Sequence, residues 1–318
     1  MKNLIERGRT KAFFIEKFQL HPSVLEIMLP SLLQMKQLGE IGLCQYSIDH
    51  NGLLLLSKYL SCNHTLKRLL LNQNHVDDID VANALSSAIK NHPTMEELCI
   101  SRCGVGNNVD VLTAILGGCN KLKILRLNSN NISSLGSNHI GAFISCNPVL
   151  TTLRLDSNLL SDVDAPELAS ALKTNTNLKY LYLKGNRFSD DGKEVMTKAV
   201  LDATSLNSIA DSNHQCETVY GSPVMTSHIN EKYWPTKRKV HSKVLIALYG
   251  MDNGTSAVQY FNHVPLELIP YGLELIQKEQ NDVTSLHNMN NQRSDHLSRI
   301  FHFLRAWHMP WIFGNGVT

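Results

Sequence analysis

A short sequence frame repeats through the first two-thirds of the chain at a nearly constant spacing. In LKRLLLNQNHV, which begins at Leu66, apolar residues stand at the first, fourth, sixth and eleventh places and Asn stands at the ninth. In chain order, the frames begin at Thr10, Leu38, Leu66, Met95, Leu122, Leu150, Leu178 and Leu206, and the first and last of these are weak copies. Successive starts are 28, 28, 29, 27, 28, 28 and 28 residues apart. A fixed period of this length indicates a repeat protein, in which each unit packs against its neighbours.

Each unit has one half with a strand pattern and one half with a helix pattern. In the unit that begins at Leu150, apolar residues at the first, fourth and sixth places (Leu150, Leu153 and Leu155) predict a strand with one buried face. The next segment, SDVDAPELASALKTN from Ser161, has apolar residues at helical spacing, polar residues suited to a helix start and Pro166 in its first turn. We expect five asparagines to end successive helices in left-handed turns: Asn63, Asn91, Asn120, Asn147 and Asn175.

The ninth place of the frame is polar, although it follows directly after a buried strand. We expect its asparagines to point inward and to bind backbone groups of adjacent turns, which is a structural role rather than a ligand-binding one. The residues concerned are Asn74, Asn130, Asn158 and Asn186. Phe18, Tyr46 and Cys103 interrupt this predicted ladder. His214 at the ninth place and Asp211 at the sixth place of the last frame predict a transition out of the solenoid.

The frame L-x-x-L-x-L-x-x-N/C-x-L resembles the leucine-rich-repeat family over roughly residues 10–216. Its period of 27–29 residues, with Cys103 at an asparagine place, is similar to the intracellular ribonuclease-inhibitor-like class. The resemblance implies an α/β solenoid with parallel strands on a concave face and helices on a convex face. It also implies a protein-binding role. Fold analogy alone leaves open a regulatory adaptor, such as a GTPase-activating or ubiquitin-ligase substrate-recognition protein, and a part of an immune sensor.

The period is lost after Cys216, which divides the chain into two predicted regions. Residues 1–216 form the predicted solenoid, and residues 217–318 a mainly helical C-terminal cap or extension, with a loop over 217–236. Three segments have helical patterns: Lys237–Tyr249, Val264–Gln280 and Asp295–Trp307. Since the last unit of a solenoid exposes apolar surface, we expect this region to cover it. A separate small domain that engages a partner through Trp307 and Trp311 is the alternative.

A short basic run precedes the first of these helical segments. It consists of Lys237, Arg238, Lys239 and Lys243. We interpret it as a solvated helix start, and a nuclear-import or phosphate-contact patch is the alternative.

Composition and motifs argue against several classes of function. The formal net charge of +2 predicts no strong attraction to nucleic acid or to a membrane. Seven cysteines with no paired framework predict free thiols in a reducing compartment, and we expect the cytoplasm, with the nucleus as the alternative. The sequence has no phosphate-loop motif and no histidine pair spaced for a metal. We therefore expect a monomer that is not an enzyme and holds no cofactor or metal.

The concave strand face is the candidate binding site, because the third, fifth, seventh and eighth places point out from it. The candidate residues are Arg68, Leu70, Asn72, Glu97, Arg102, Arg126, Asn128, Arg154, Asp156, Tyr180, Tyr182 and Lys184. Arg126 and Arg154 should lie side by side, followed by the two tyrosines. Arginine and tyrosine are enriched at protein–protein hot spots, so we expect this face to bind a protein partner. The alternative is a set of ordinary solvated strand residues, in which Asp156 offsets the arginines.

Overall fold

Strands and helices alternate along the part of the chain that the computed structural model describes, which is residues 11–33, 35–146, 148–202, 208, 211–216, 218–219, 239 and 243. The strands are β1 (Ala12–Glu16), β2 (Glu40–Cys44), β3 (Arg68–Leu70), β4 (Glu97–Cys99), β5 (Ile124–Arg126), β6 (Thr152–Arg154), β7 (Tyr180–Tyr182) and β8 (Thr218–Val219). The helices are α1 (Pro22–Leu33), α2 (His50–Leu60), α3 (Ile79–Asn91), α4 (Val109–Gly118), α5 (Ser134–Ser145), α6 (Ala165–Thr174) and α7 (Asp190–Val200). Short 3-10 turns at Val105–Asn107 and Asp162–Asp164 precede α4 and α6.

The strands form one sheet in which their order follows the chain from β1 to β8. Every neighbouring pair is parallel. Each helix returns the chain to the start of the next strand, so the units stack in one direction. This arrangement is the predicted α/β solenoid with a parallel sheet.

The core lies between the sheet and the helices. Leu150, Leu153 and Leu155, at the first, fourth and sixth places of one unit, are buried, and so are Leu168 and Leu172 on α6. The same places are buried in the neighbouring units, which gives one continuous core along the solenoid. Burial against adjacent units stabilises each strand, because a three-residue strand has too little surface to be stable alone.

Polar side chains fix where several of the helices begin. The Asp49 carboxylate accepts a hydrogen bond from the Gly52 N–H at 2.8 Å, which caps α2. Asp78, Asn108 and Ser189 cap α3, α4 and α7 in the same way. These bonds satisfy N–H groups that have no partner within the helix.

The ninth-place asparagines form the predicted ladder, as Asn158 illustrates. Its Nδ2 donates to the carbonyl of Leu127 one unit earlier at 3.0 Å and to that of Leu155 at 2.9 Å. Its Oδ1 accepts from the N–H groups of Asn130 and Ile132 at 2.9 and 3.1 Å. Asn74, Asn130 and Asn186 make equivalent bonds. The structural interpretation of these residues is confirmed.

Two units continue the ladder with other residue types. The Ser47 hydroxyl donates to the carbonyl of Ile15 at 3.2 Å, and the Cys103 thiol to that of Leu71 at 3.2 Å. Ser47 replaces Tyr46 because Tyr46 and the residue before it both have positive φ angles, of 61° and 58°, and the Tyr46 side chain is exposed. The ladder therefore begins one unit earlier than predicted.

Asparagines at two helix ends bridge adjacent units through their side chains. Asn63 Nδ2 donates to the carbonyl of Leu33 at 2.5 Å, and Asn63 Oδ1 accepts from the N–H groups of Thr65 and Leu66 at 3.0 and 2.7 Å. Asn175 makes the same three kinds of bond and has extended backbone angles, φ −81° and ψ 126°. The predicted left-handed turn is wrong for the described asparagines, because the side chain rather than a positive φ supplies the missing partners. Asn147 lies outside the described residues.

In two of the units between them, the predicted asparagine does not stand at the helix-end position. Asn91 and Asn120 are exposed, whereas the position three residues before the frame start is occupied by His92 and Cys119, both buried. His92 Nδ1 accepts from the Thr94 N–H at 3.3 Å, as the asparagine oxygen does in its own unit. The position is structural in every described unit, but its residue type varies.

The last unit lies in a different register from the one predicted. Tyr180 pairs with Thr218, so Cys216 occupies the first place of the next frame, 38 residues after Leu178. The predicted frame at Leu206 is therefore wrong, and a longer connection separates the last two strands.

Asn213 confirms the corrected register. Its Nδ2 donates to the carbonyls of Leu172 and Asn175, both at 2.6 Å, and its Oδ1 accepts from the Cys216 N–H at 2.7 Å. These are the bonds of a helix-end asparagine. Strand β8 lies in the segment that we predicted to be a loop, just beyond the boundary expected at residue 216.

Two residues of the basic run are buried. The Lys243 Nζ donates to the carbonyl of Asn213 at 2.7 Å and to the Ser212 hydroxyl at 3.3 Å, and lies 2.9 Å from His214 Nδ1. Burial, followed by the charge of Lys239, lowers the pKa of Lys243 to about 7. The solvated interpretation is wrong for these two lysines, and the rest of the run lies outside the described residues.

The remaining C-terminal predictions also lie outside the described residues. These are the helical segments Lys237–Tyr249, apart from the two lysines, Val264–Gln280 and Asp295–Trp307, together with Trp311. The helical cap or extension over 217–318 stays a prediction.

Candidate functional site

The parallel register aligns the candidate residues in columns on the face of the sheet that points away from the helices, which we call the concave strand face. The third-place column contains Glu40, Arg68, Glu97, Ile124, Thr152 and Tyr180. The fifth-place column contains Leu70, Cys99, Arg126, Arg154 and Tyr182. Arg126 lies beside Arg154, and Arg154 beside Tyr182, as predicted.

Two arginines of this face are paired with glutamates of the preceding strand. Arg68 forms an ion pair with Glu40. Arg126 Nε donates to Glu97 Oε1 at 2.8 Å. Glu97 is buried, so its carboxylate neutralises Arg126 more than it offers a contact to solvent.

Arg154 has a different environment. Its guanidinium carbon lies 4.4 Å from the centre of the Tyr182 ring, which is a cation–π contact. Tyr182 in turn stacks on Tyr180, with 6.5 Å between the ring centres. All three side chains are half-buried. The cluster presents a cation and two aromatic rings on a rigid backbone.

Asp156, two places beyond Arg154 on the same face, is hydrogen-bonded to its neighbours. One carboxylate oxygen accepts from the Lys184 N–H at 3.1 Å, and the other accepts from Asn128 Nδ2 at 3.3 Å. Desolvation raises the pKa of Asp156, against the opposing effects of the Lys184 N–H and the charge of Arg154. Its charge acts on Arg154, but it forms no ion pair with it among the described residues.

The other candidates differ in how available they are to a partner. The Asn72 Oδ1 accepts from the Ser101 N–H and from the Cys99 thiol, both at 2.9 Å, so this amide has a structural role. Arg102, with a φ of 59°, and Lys184 are exposed beyond the strand ends. Leu70 is half-buried within the fifth-place column.

Phe14 belongs to this face, although the sequence analysis did not select it. It pairs with Gly42 and is 50% exposed. A side chain at Gly42 would collide with the Phe14 ring, so the ring lies over the glycine. The signal was present in the sequence, because Phe14 occupies the fifth place of the weak frame at Thr10. Phe14 and Leu70 make the N-terminal half of the face more apolar than the half around Arg154.

The buried thiols are poorly suited to nucleophilic chemistry. Burial raises the pKa of both Cys103 and Cys119 to about 12. All seven cysteines are free. In the part of the chain that the structure describes, no cluster of His, Cys, Asp or Glu could hold a metal ion. No helix there has the length and apolar character to span a bilayer.

A groove of about 610 Å³ lies on the convex side between α4 and α5. Its walls include Thr113, Leu116, His139, Phe143 and Cys146. Thr113 Oγ1 and His139 Nδ1 lie 3.0 Å apart, which links the two helices across it. The groove is separate from the concave strand face.

The sequence model of a family described as Leucine Rich repeat matches residues 118–136 and 174–194. These segments cover β5 and β7 together with their flanking turns, and the fold is a leucine-rich-repeat solenoid. The curated proteins contain no significant match to the chain.

Solved structures with a similar arrangement have low sequence identity to this chain. A tropomodulin C-terminal domain from Caenorhabditis elegans is 13% identical, with a TM-score of 0.35, over 54% of this chain and 95% of that one. An internalin from Listeria monocytogenes is 18% identical, with a TM-score of 0.35, over 61% of this chain and 47% of that one. The actin-binding site 2 of leiomodin-1 is 10% identical, with a TM-score of 0.30, over 61% and 88%.

Proposed function

We propose that this chain is a non-catalytic interaction scaffold that binds a partner protein on its concave strand face. The observation that carries the proposal is the cluster of Arg154, Tyr180 and Tyr182, which is held half-buried on a rigid parallel sheet. Arginine and tyrosine supply a large share of binding energy at protein interfaces. A preformed sheet also avoids the entropy cost of ordering a loop on binding.

The proposed contact surface runs from Arg68 to Lys184 and includes all twelve residues predicted from the sequence. Within it, the side chains of Asn72 and Glu97 position their neighbours, whereas Arg154, Tyr182 and Lys184 meet the partner directly. Phe14 extends the surface toward the N-terminal end.

We also propose that the chain belongs to the ribonuclease-inhibitor-like class of leucine-rich-repeat proteins. The period of 27–29 residues and the cysteine that replaces an asparagine in the ladder support the ribonuclease-inhibitor-like class. We propose a monomer that acts in the cytoplasm or nucleus, and the seven free thiols support a reducing compartment.

Charge reversal on the concave strand face tests the binding proposal. Affinity purification with the full chain and mass spectrometry would first identify a partner, whose purified form is then titrated in solution. Arg126→Glu combined with Arg154→Glu reverses the charge at two adjacent positions of this face and should weaken the binding of this partner at least about a hundredfold. Lys173→Glu combined with Lys193→Glu, on the exposed surfaces of α6 and α7, is the matched control and should bind like the wild type. Unchanged affinity of the arginine variant would show that the partner binds elsewhere.

A further inference from the structure

The two adjacent arginines of the concave strand face, Arg126 and Arg154, differ in whether the preceding strand carries an acidic residue close to them. Arg126 is neutralised by Glu97, which occupies the third place of the preceding strand. The strand before Arg154 carries Ile124 at that place. Because Ile124 has no carboxylate, the register leaves Arg154 without the partner that Arg126 has.

The side chain of Arg154 has no hydrogen-bond acceptor among the described residues, although it is half-buried. The face of the Tyr182 ring contacts the Arg154 guanidinium and orients it. The N–H groups at the edge of the guanidinium stay available to an acceptor. The oxygens of Asp156 accept from Asn128 and from the Lys184 N–H, and Asp156 forms no ion pair with Arg154 among the described residues. A guanidinium has five donors in a planar fork, and a carboxylate matches this fork with two parallel hydrogen bonds.

The surroundings favour a carboxylate over a more highly charged anion. Arg154 is half-buried against the Tyr182 ring, and this reduced exposure to solvent strengthens a charge-assisted hydrogen bond. The nearby Asp156 would repel a doubly charged phosphate, and the charge of Arg126 is already compensated by Glu97. One free guanidinium fits a single negative charge.

We infer that Arg154, oriented by Tyr182, receives an aspartate or glutamate side chain of the partner protein, whose neighbouring apolar residues pack on Ile124 and the tyrosines. This inference rests on the proposed function and specifies the partner's chemistry. Arg154 is then the position on this face that discriminates between partners, because an uncharged side chain would leave its half-buried guanidinium unpaired.

The test uses peptides selected from a random peptide library on the immobilised full-length chain. Peptides are retained if they cross-link to a photoreactive residue introduced at Thr152, which lies between Ile124 and Tyr180 in the third-place column. Affinities are then measured in solution for each retained peptide, for its Glu→Gln or Asp→Asn counterpart and for a phosphoserine counterpart. The proteins compared are the wild type, Arg154→Gln and the matched control Arg187→Gln, since Arg187 is exposed and lies outside the strand face.

The expected result is an acidic residue shared by the retained peptides. The amide counterpart of each peptide should bind the wild type at least about tenfold more weakly than the acidic peptide does. The Arg154→Gln substitution should lower the affinity for the acidic peptide by a similar factor and leave the affinity for the amide peptide almost unchanged. Arg187→Gln should behave as the wild type. Three results would overturn the inference and leave the proposed function standing. They are retained peptides that do not require an acidic residue, affinity losses from the peptide change and from Arg154→Gln that add, and tighter binding of the phosphoserine peptide. A selection that yields no peptide on the strand face would overturn both.

Discussion

The side-chain oxygen of Asn158 accepts a 2.9 Å hydrogen bond from the backbone N–H of Asn130, one repeat earlier. The amide nitrogen of Asn158 donates to carbonyls of both units. One buried side chain therefore satisfies backbone groups on the two sides of a unit boundary. Since the stability of a solenoid is a sum over such boundaries, Asn158 should contribute more to the free energy of unfolding than its small apolar area suggests.

Replacing the ladder amide should be strongly destabilising. Asn158→Ala leaves buried carbonyl and N–H groups without partners, so we expect a loss of about 2–4 kcal/mol in the free energy of unfolding. Asn120→Ala is the control, because Asn120 is exposed and should change stability by less than about 0.5 kcal/mol. Urea denaturation followed by circular dichroism measures both. Equal stability of the two variants would rule out a structural ladder.

The same substitution should have opposite effects at two glycines, Gly106 in the 3-10 turn before α4 and Gly117 within α4. A Cβ at Gly106 would lie 2.5 Å from the Ile132 nitrogen and 2.6 Å from the Asn130 carbonyl oxygen, which are backbone atoms that cannot easily move. Gly106→Ala should cost about 1–3 kcal/mol. Gly117, within α4, has no atom within 4 Å of such a Cβ, so Gly117→Ala should stabilise by about 0.5–1 kcal/mol. Thermal unfolding measures the stability of both variants. A stabilised Gly106→Ala variant would contradict the close contact of Gly106 with the backbone of Asn130 and Ile132.

The first seven units of the repeat could be predicted from the sequence because burial requires leucine or similar residues at three places of each unit. The registers of β1 to β7 follow from that pattern alone. The ladder role of Ser47 could not be foreseen, since it depends on a turn in which Gln45 and Tyr46 both have positive φ angles. The register of Cys216 was missed because a longer connection precedes it, and a weak copy at the usual spacing masked the change.

His92 makes the stability of the solenoid depend on pH. The side chain is buried, and its Nε2 has no hydrogen-bond partner among the described residues. Burial, with a contribution from His64, lowers the pKa of His92 below the ordinary value. The unfolded chain therefore binds this proton more readily than the folded one. The contribution of neutral His92 to the free energy of unfolding is fully present above the unfolded pKa of about 6.5. It is lost as the pH falls below that value toward the folded pKa.

The variant His92→Asn tests this dependence. Asparagine occupies the same position at Asn63 and Asn175 and has no titratable group, so the variant should lose less stability on acidification than the wild type. The measurement is the urea midpoint of both proteins between about pH 7.5 and about pH 5. Parallel curves over this range would show that His92 does not titrate differently in the folded state.

The sequence predicted which side chains of the candidate site lie in the same columns but not which of them contact one another. Places three and five predict which side chains share a face, because successive side chains on a strand alternate. For an arginine at the fifth place, pairing depends on the third-place residue of the preceding strand, and this relation distinguishes Arg126 from Arg154. The stacking of Arg154 on Tyr182 depends on side-chain torsions, which no spacing rule determines.

The location of the bound partner shows whether the concave strand face is the binding site. A photoreactive residue is introduced at Thr152 on the concave strand face or, as the matched control, at Ser170 on the exposed side of α6. After illumination with the purified partner, mass spectrometry identifies the cross-linked product. If the partner binds the concave strand face, position 152 gives a cross-link and position 170 gives none. A cross-link from position 170 alone would contradict binding on the concave strand face.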